Sequence, residues 1–161
     1  MHTPVQLQLR VADADDQDFI NTLYFSTRDD LQLLAANPAL SNSIAQLISM
    51  QQNAQAMSCR QNFPGAETLL MEAGQLPVGR AIVHGSAAVL RLVDISVLPQ
   101  SRGRGYGGET VRRLQQRAAR AGQEMQLSVR LSNTGARRLY AALGFEVVSH
   151  DVLDARMRWL P

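Results

Sequence analysis

The sequence predicts an α/β fold of the α+β kind, with about seven strands in one mixed sheet and helices on both faces. Three observations predict it. Short apolar stretches of strand length recur along the chain, stretches with helical spacing separate them, and Gly or Pro marks most of the changeovers. At 161 residues and 45% hydrophobic content, the chain suits one compact domain over 1–161, with no repeat, low-complexity tract or linker to divide it.

The elements follow in order. Val5 to Val11 alternates apolar and polar residues and reads as a strand. Asp13 to Asp18 offers N-cap chemistry ahead of Phe19, Ile20, Leu23 and Tyr24, an amphipathic helix. Leu40, Ile44, Leu47 and Ile48 predict a second helix over 40–57, and Ser58 to Pro64 reads as a loop. Glu67 to Ala73 and Val78 to His84 read as strands flanking a turn at Gly74-Gln75-Leu76-Pro77. Gly85-Ser86 marks the next turn, and Ala88 to Leu98 is the longest apolar strand, ended by Pro99. A glycine-rich loop, Arg102 to Gly108, leads into a helix from about Glu109 to Ala121 that Gly122 stops. Glu124 to Arg130 is a strand, Asn133 to Leu143 a helix, and Phe145 to Ser149 and Ala155 to Leu160 close the sheet.

Composition removes several chemistries. All 16 basic residues are arginine, so the chain lacks the lysine of a P-loop, a Schiff base or a pyridoxal phosphate anchor. Cys59 is the one cysteine, too few for a disulfide or a four-ligand zinc site, so no metal is expected. No apolar run approaches the roughly 18 residues of a membrane span, and Met1 to Arg10 lacks the pattern of a signal peptide. A cytoplasmic protein that binds no membrane is expected.

Charge is distributed unevenly. Residues 102–138 hold nine arginines against two acids, whereas the first 101 hold five against nine. That asymmetry suits an anionic ligand, although Arg112, Arg113, Arg117 and Arg120 also fit a solvated helix face. Tyr106 and Tyr140 are the only aromatics in or beside that stretch, so no platform for stacking nucleic-acid bases is expected.

The loop Arg102-Gly103-Arg104-Gly105-Tyr106-Gly107-Gly108 carries the chemistry. Four glycines in six residues let backbone N–H groups turn inward, and the following helix adds its unpaired first-turn N–H groups and positive dipole end. The expected ligand is a pyrophosphate. Two patterns fit. Gly103-x-Gly105-x-x-Gly108 matches a dinucleotide fingerprint, and Arg102-x-x-Gly105-x-Gly107 matches an acyl-CoA pyrophosphate loop. Against the first, Pro99 to Arg102 separate the loop from its strand, Arg130 stands where a ribose-binding acid belongs, and the loop comes late in the chain.

The second pattern continues downstream as Asn133-Thr-Gly-Ala136-Arg-Arg-Leu-Tyr140-Ala-Ala-Leu-Gly144-Phe145. From Val93 to Phe145 the sequence thus resembles the GNAT superfamily of acyl-CoA-dependent N-acetyltransferases. Val78-Gly79-Arg80 and Met157-Arg158-Trp159 look like a bacterial branch. The resemblance implies a mostly antiparallel sheet, splayed in the middle, with acetyl-CoA as cosubstrate. It implies that main-chain groups of Ile95 and Val97 bond the pantetheine arm, with the Val97 N–H facing the thioester oxygen. Asn133 would bond the same arm, and Tyr140 would be the general acid toward the departing thiolate.

The general base is not evident. Related enzymes often keep a Glu where this chain has Val93, and strict alternation would send neighbouring Asp94 to the face opposite Val93 and Ile95, in a structural role. His84, Glu72 or a water chain are the other candidates, and Gln51, Gln52 and Gln55 are candidates for the acceptor side. The acceptor class stays open among small-molecule and peptide amines, with the acidic first half favouring a cationic one. A homodimer is also open. Two other functions compete: a CoA-binding sensor without catalysis, and an NAD(P)-binding oxidoreductase.

Overall fold

The protein is described by a computed structural model covering residues 5–161; Met1 to Pro4, part of the stretch read for a leader, lie outside the described residues. Seven strands form one sheet in the order β1-β2-β3-β4-β5-β7-β6. They are β1 (Gln8–Val11), β2 (Glu67–Ala73), β3 (Leu76–Gly85), β4 (Val89–Val97), β5 (Glu124–Arg130), β6 (Glu146–His150) and β7 (Asp154–Trp159). All neighbours are antiparallel except β4 and β5. The helices are α1 (Gln17–Ser26), α2 (Asp29–Ala35), α3 (Ser41–Asn62), α4 (Tyr106–Arg120) and α5 (Thr134–Ala142). No helix among the described residues is long and apolar enough to cross a membrane.

Three expectations need correction. Asp29–Ala35 is helical although its apolar residues do not share a face: Leu31 is buried while Leu33 is 79% exposed. The stretch Ser58 to Pro64 is mostly not a loop, because α3 continues through Asn62. The hairpin turn is only Gly74-Gln75, both with positive φ (57° and 69°), and Leu76 and Pro77 already pair with Ala73 and Glu72. Two positive φ values are what a two-residue turn needs to follow the twist of its strands.

One apolar cluster joins the α4–α5 side of the sheet. Leu69, Met71, Ala81 and Val83 of the antiparallel half meet Met125, Leu127 and Met157 beyond the parallel seam, with Val111, Leu114 and Tyr140 above. The α4 and α5 helices are tied together as well, where Gln115 Nε2 donates to the Leu143 carbonyl at 2.8 Å. On the other face, Ile20, Leu23, Leu31, Ile44 and Leu70 are buried in the layer formed with α1–α3. The chain is anchored to that layer at its start by Arg10, which bonds both Asp16 and Glu72 and holds the Asp16 carboxyl down at about 2.

Close approach of β3 to β4 rests on Gly79. A Cβ there would lie 2.5 Å from the Ser96 carbonyl oxygen and 3.2 Å from Val97 Cα, both backbone atoms. Gly79→Ala therefore forces β4 away from its neighbour. The expected cost is about 1–3 kcal/mol, read as a lower urea midpoint, and an unchanged midpoint would show that the two strands slide apart freely.

Candidate active site

The sheet opens between β4 and β5. Their parallel pairing runs only from Val89↔Glu124 to Leu92↔Leu127, after which β4 stays with β3 and β5 stays with β7. The departing part of β4 offers its main chain to the gap. Leu98 N–H donates to the Val78 carbonyl at 2.8 Å, so Leu98 points toward β3. Alternation then turns the N–H and C=O groups of Val97 and Ile95 away from β3, into the opening. The Val97 carbonyl accepts from Arg102 Nε at 3.0 Å, which fits that direction and ties the glycine loop to the end of the strand.

The loop itself is a cradle. Gly103 and Gly105 have φ of 75° and 85°, and Gly105 caps α4 in the left-handed conformation that favours glycine. Among the described residues, no protein acceptor takes the N–H groups of residues 103 to 108. Six consecutive donors beside a helix N-terminus fit a pyrophosphate, the group expected from the sequence. Room is also present, since a Cβ at Gly103 or Gly107 would meet nothing within 4 Å. Gly108 serves packing instead: its Cβ would stand 3.3 Å from Leu139 of α5.

Few of the arginines near the loop are free to bind a ligand. On α4, Arg113 pairs with Glu109 at 3.0 Å and donates to the Leu7 carbonyl, while Arg117 pairs with Glu67 at 2.7 Å. Those two serve the fold and not a ligand. Arg104, between two glycines of the cradle, has no hydrogen-bond or ion-pair partner among the described residues.

Tyr140 of α5 lies on the cluster side of the opening, 6% exposed, its ring 5.7 Å from that of Phe145. Burial pushes its hydroxyl up to about 12, and the negative charge of Asp94 adds to the shift. Asn133 caps α5, its Oδ1 accepting from the Ala136 N–H at 3.1 Å. Its side-chain NH2 has no partner among the described residues and can donate to a ligand.

Beyond the opening, α1, α3 and strands β2–β4 enclose a cavity of about 570 Å³. Gln52 and Gln55 line it, but Gln51 does not: Arg28 Nη1 donates to its Oε1 at 2.7 Å. The other candidate bases, His84 and Glu72, do not line the cavity. His84 lies against the Pro64 carbonyl at 3.1 Å, and Glu72 is engaged by Arg10 at the β1 edge.

Asp94 is the main correction. The β3–β4 register passes from Ile82↔Asp94 to Val83↔Leu92, leaving Val93 as an extra residue, a β-bulge. The bulge changes parity. Leu90 and Leu92 face the α4 cluster before it and Ile95 and Val97 pack there after it. Val93 and Asp94 consequently both line the cavity, side by side. Asp94 accepts from Arg80 Nη2 at 3.1 Å, with 36% of its side chain exposed against 5% for Arg80. Sequence reasoning missed Arg80 as a site residue. The signal was a charge inside an otherwise apolar strand, Val78 to Val83. Cys59 also lines this cavity, where burial raises its thiol above the ordinary value and keeps it neutral.

A family model described as FR47-like protein matches residues 85–153, which spans β4, the cradle, the opening and α5. No curated protein matches the chain by sequence. Solved structures match in fold at low identity. The PaiA N-acetyltransferase of Thermoplasma acidophilum, in complex with coenzyme A, is 15% identical with a TM-score of 0.67, covering 97% of this chain and 99% of its own. A chimera of the spermidine N-acetyltransferase SpeG from Vibrio cholerae is 19% identical, with a TM-score of 0.68 and coverage of 96% and 95%. A GNAT family acetyltransferase from Elizabethkingia anophelis, with acetyl-CoA bound, is 12% identical, with a TM-score of 0.61 and coverage of 98% and 100%.

Proposed function

From a chain with the GNAT superfamily fold and a matching FR47-like segment, we propose an N-acetyltransferase that moves an acetyl group from acetyl-CoA to an amine. The observation that carries this reading is the run of six N–H groups at residues 103–108 without an acceptor among the described residues, next to the opened seam between β4 and β5. Acetyl-CoA would supply an activated thioester. The cradle would hold its pyrophosphate, with Arg104 adding charge, and main-chain groups of Ile95 and Val97 would bond its pantetheine arm as a missing strand would. The Asn133 side-chain NH2 is a further donor toward that arm.

Each remaining group has a chemical task. The Val97 N–H faces the opening and stabilises negative charge growing on the thioester oxygen, where a fixed donor is worth most. Tyr140 donates its phenolic proton toward the departing sulfur. Its high pKa keeps it protonated throughout the neutral range, so the donor is always charged with its proton. Asp94 takes the proton from the incoming ammonium, because the bulge at Val93 delivers its carboxylate to the cavity at the position where Val93 offers none. An amine near pKa 10.4 is almost fully protonated at pH 7, so this step cannot be omitted.

Thiol release from acetyl-CoA in the presence of an amine panel tests the activity, with a parallel titration of acetyl-CoA against NADPH. Saturable acetyl-CoA binding with amine-dependent thiol release is expected. Preferential NADPH binding would favour an oxidoreductase, and binding without release a CoA sensor. Asp94→Asn separates a base from a structural carboxylate. The expected fall in kcat/KM is about 100-fold at neutral pH, with recovery as pH rises and the amine sheds its own proton. A loss that is equal at every pH would assign Asp94 to structure.

A further inference from the structure

The cavity beyond Asp94 carries more positive than negative charge. Its charged lining is Arg60, Arg80 and Asp94, and the rest of its polar lining is neutral, mainly amides from α1 and α3 such as Gln17, Gln52 and Asn62. Apart from Asp94, the acids that make the first half of the chain acidic do not line it: Asp16 and Glu72, for instance, are bound to Arg10, and Glu67 to Arg117. The cationic acceptor that the sequence favours would therefore find one carboxylate and two guanidinium groups.

Arg80 is incompletely satisfied. Its side chain is 95% enclosed by the protein, yet among the described residues only Nη2 has a hydrogen-bond partner, Asp94, and Nε is fully buried without one. A buried guanidinium has five donors in a planar fork, and one carboxylate oxygen uses one of them. Arg60, on the last turn of α3, forms no ion pair among the described residues and lines the same cavity. An anion placed between these two arginines would meet Arg60 and the Nη donors of Arg80 that Asp94 leaves unused, though not the buried Nε.

We infer that the acceptor is an amine that also carries a carboxylate, with the carboxylate held by Arg80 and Arg60 and the amino group presented to Asp94. This deepens the acetyltransferase reading and rests on it. The division of charge is what orients the molecule: a carboxylate is repelled by Asp94 and an ammonium by the arginines, so only one end-to-end orientation sends the amine toward the opened seam. A linear polyamine lacks the group the arginines require, and its second ammonium would meet them directly.

The test uses the full chain and four kinds of probe: the standard L-amino acids, their methyl esters, their decarboxylated amines, and spermidine. Thiol release from acetyl-CoA and, separately, calorimetric binding to the CoA-loaded protein are measured for each. At least one free amino acid is expected to be acetylated with kcat/KM at least 10-fold above its own methyl ester and decarboxylated amine. Arg60→Gln, on an exposed helix position, should raise KM for that amino acid about 10-fold while leaving its ester within about twofold. Arg80→Lys keeps a charge opposite Asp94 but loses the planar fork, and should raise KM more than it lowers kcat.

Spermidine or the esters turning over as well as the free acids would overturn the inference while leaving the acetyltransferase reading intact. Neither turnover nor saturable binding with any carboxylate-bearing probe would also overturn it. Failure of acetyl-CoA itself to bind would instead remove the reading on which it depends.

Discussion

Gly105→Glu is expected to abolish acetyl-CoA binding, with a loss of at least about 100-fold in affinity. Two penalties coincide at this position. Gly105 caps α4 at φ 85°, where an L side chain costs roughly 1–2 kcal/mol. The carboxylate would then stand among the six unpaired N–H groups and occupy the positive end of the helix itself. It would satisfy donors meant for a ligand and repel the pyrophosphate. Gly65→Glu is the matched control, since Gly65 has nearly the same φ of 80° and open space around it, but lies after α3 and outside the cradle. Isothermal calorimetry with acetyl-CoA reads both. Equal loss in the two variants would mean that strain, and not the cradle, is responsible; retained binding in Gly105→Glu would show the cradle to be irrelevant.

Tyr140→Phe should lower kcat about 100- to 1,000-fold, the range of a positioned general acid, with acetyl-CoA affinity unchanged within about threefold. Stability should barely move, because among the described residues the hydroxyl has no hydrogen-bond partner to lose, and the ring contact with Phe145 is kept. The pH dependence follows from the shift to about 12. Folding favours the neutral phenol, so its contribution to stability is complete below the ordinary value near 10 and is lost as pH rises toward about 12. Ultraviolet titration of wild type against Tyr140→Phe should therefore show one phenol missing near pH 12, none near 10. A full rate in the variant would exclude Tyr140 as the acid.

The sequence revealed those features of the fold and site that depend on local chemistry. Glu67–Ala73 and Glu124–Arg130 have the bounds expected, because alternation or an apolar run is closed off by turn residues at both ends. The cradle was legible because glycine density and the start of an amphipathic helix are written in consecutive residues. The acceptor side was not. The last turn of α3 contributes Ser58, Cys59, Arg60 and Asn62 to the cavity but contains no apolar residue with helical spacing, so nothing in its sequence distinguishes it from a loop. It is helical because it continues a long helix already packed below it. The helix α2 was missed for the related reason that Leu31 alone anchors it. Arg80 and Asp94 come from different strands, and their meeting depends on a register no single strand displays.

The extra residue in β4 has a consequence for how the sequence maps onto the two faces of the strand. Relative to plain alternation, one bulged residue rotates everything downstream by half a turn about the strand axis. Plain alternation would put Val93 over the cavity and send Asp94 to the α4 side; with the bulge, both face the cavity. Deletion of Val93 would remove the bulge and leave Asp94 on the cavity face, flanked by Leu92 and Ile95 on the other.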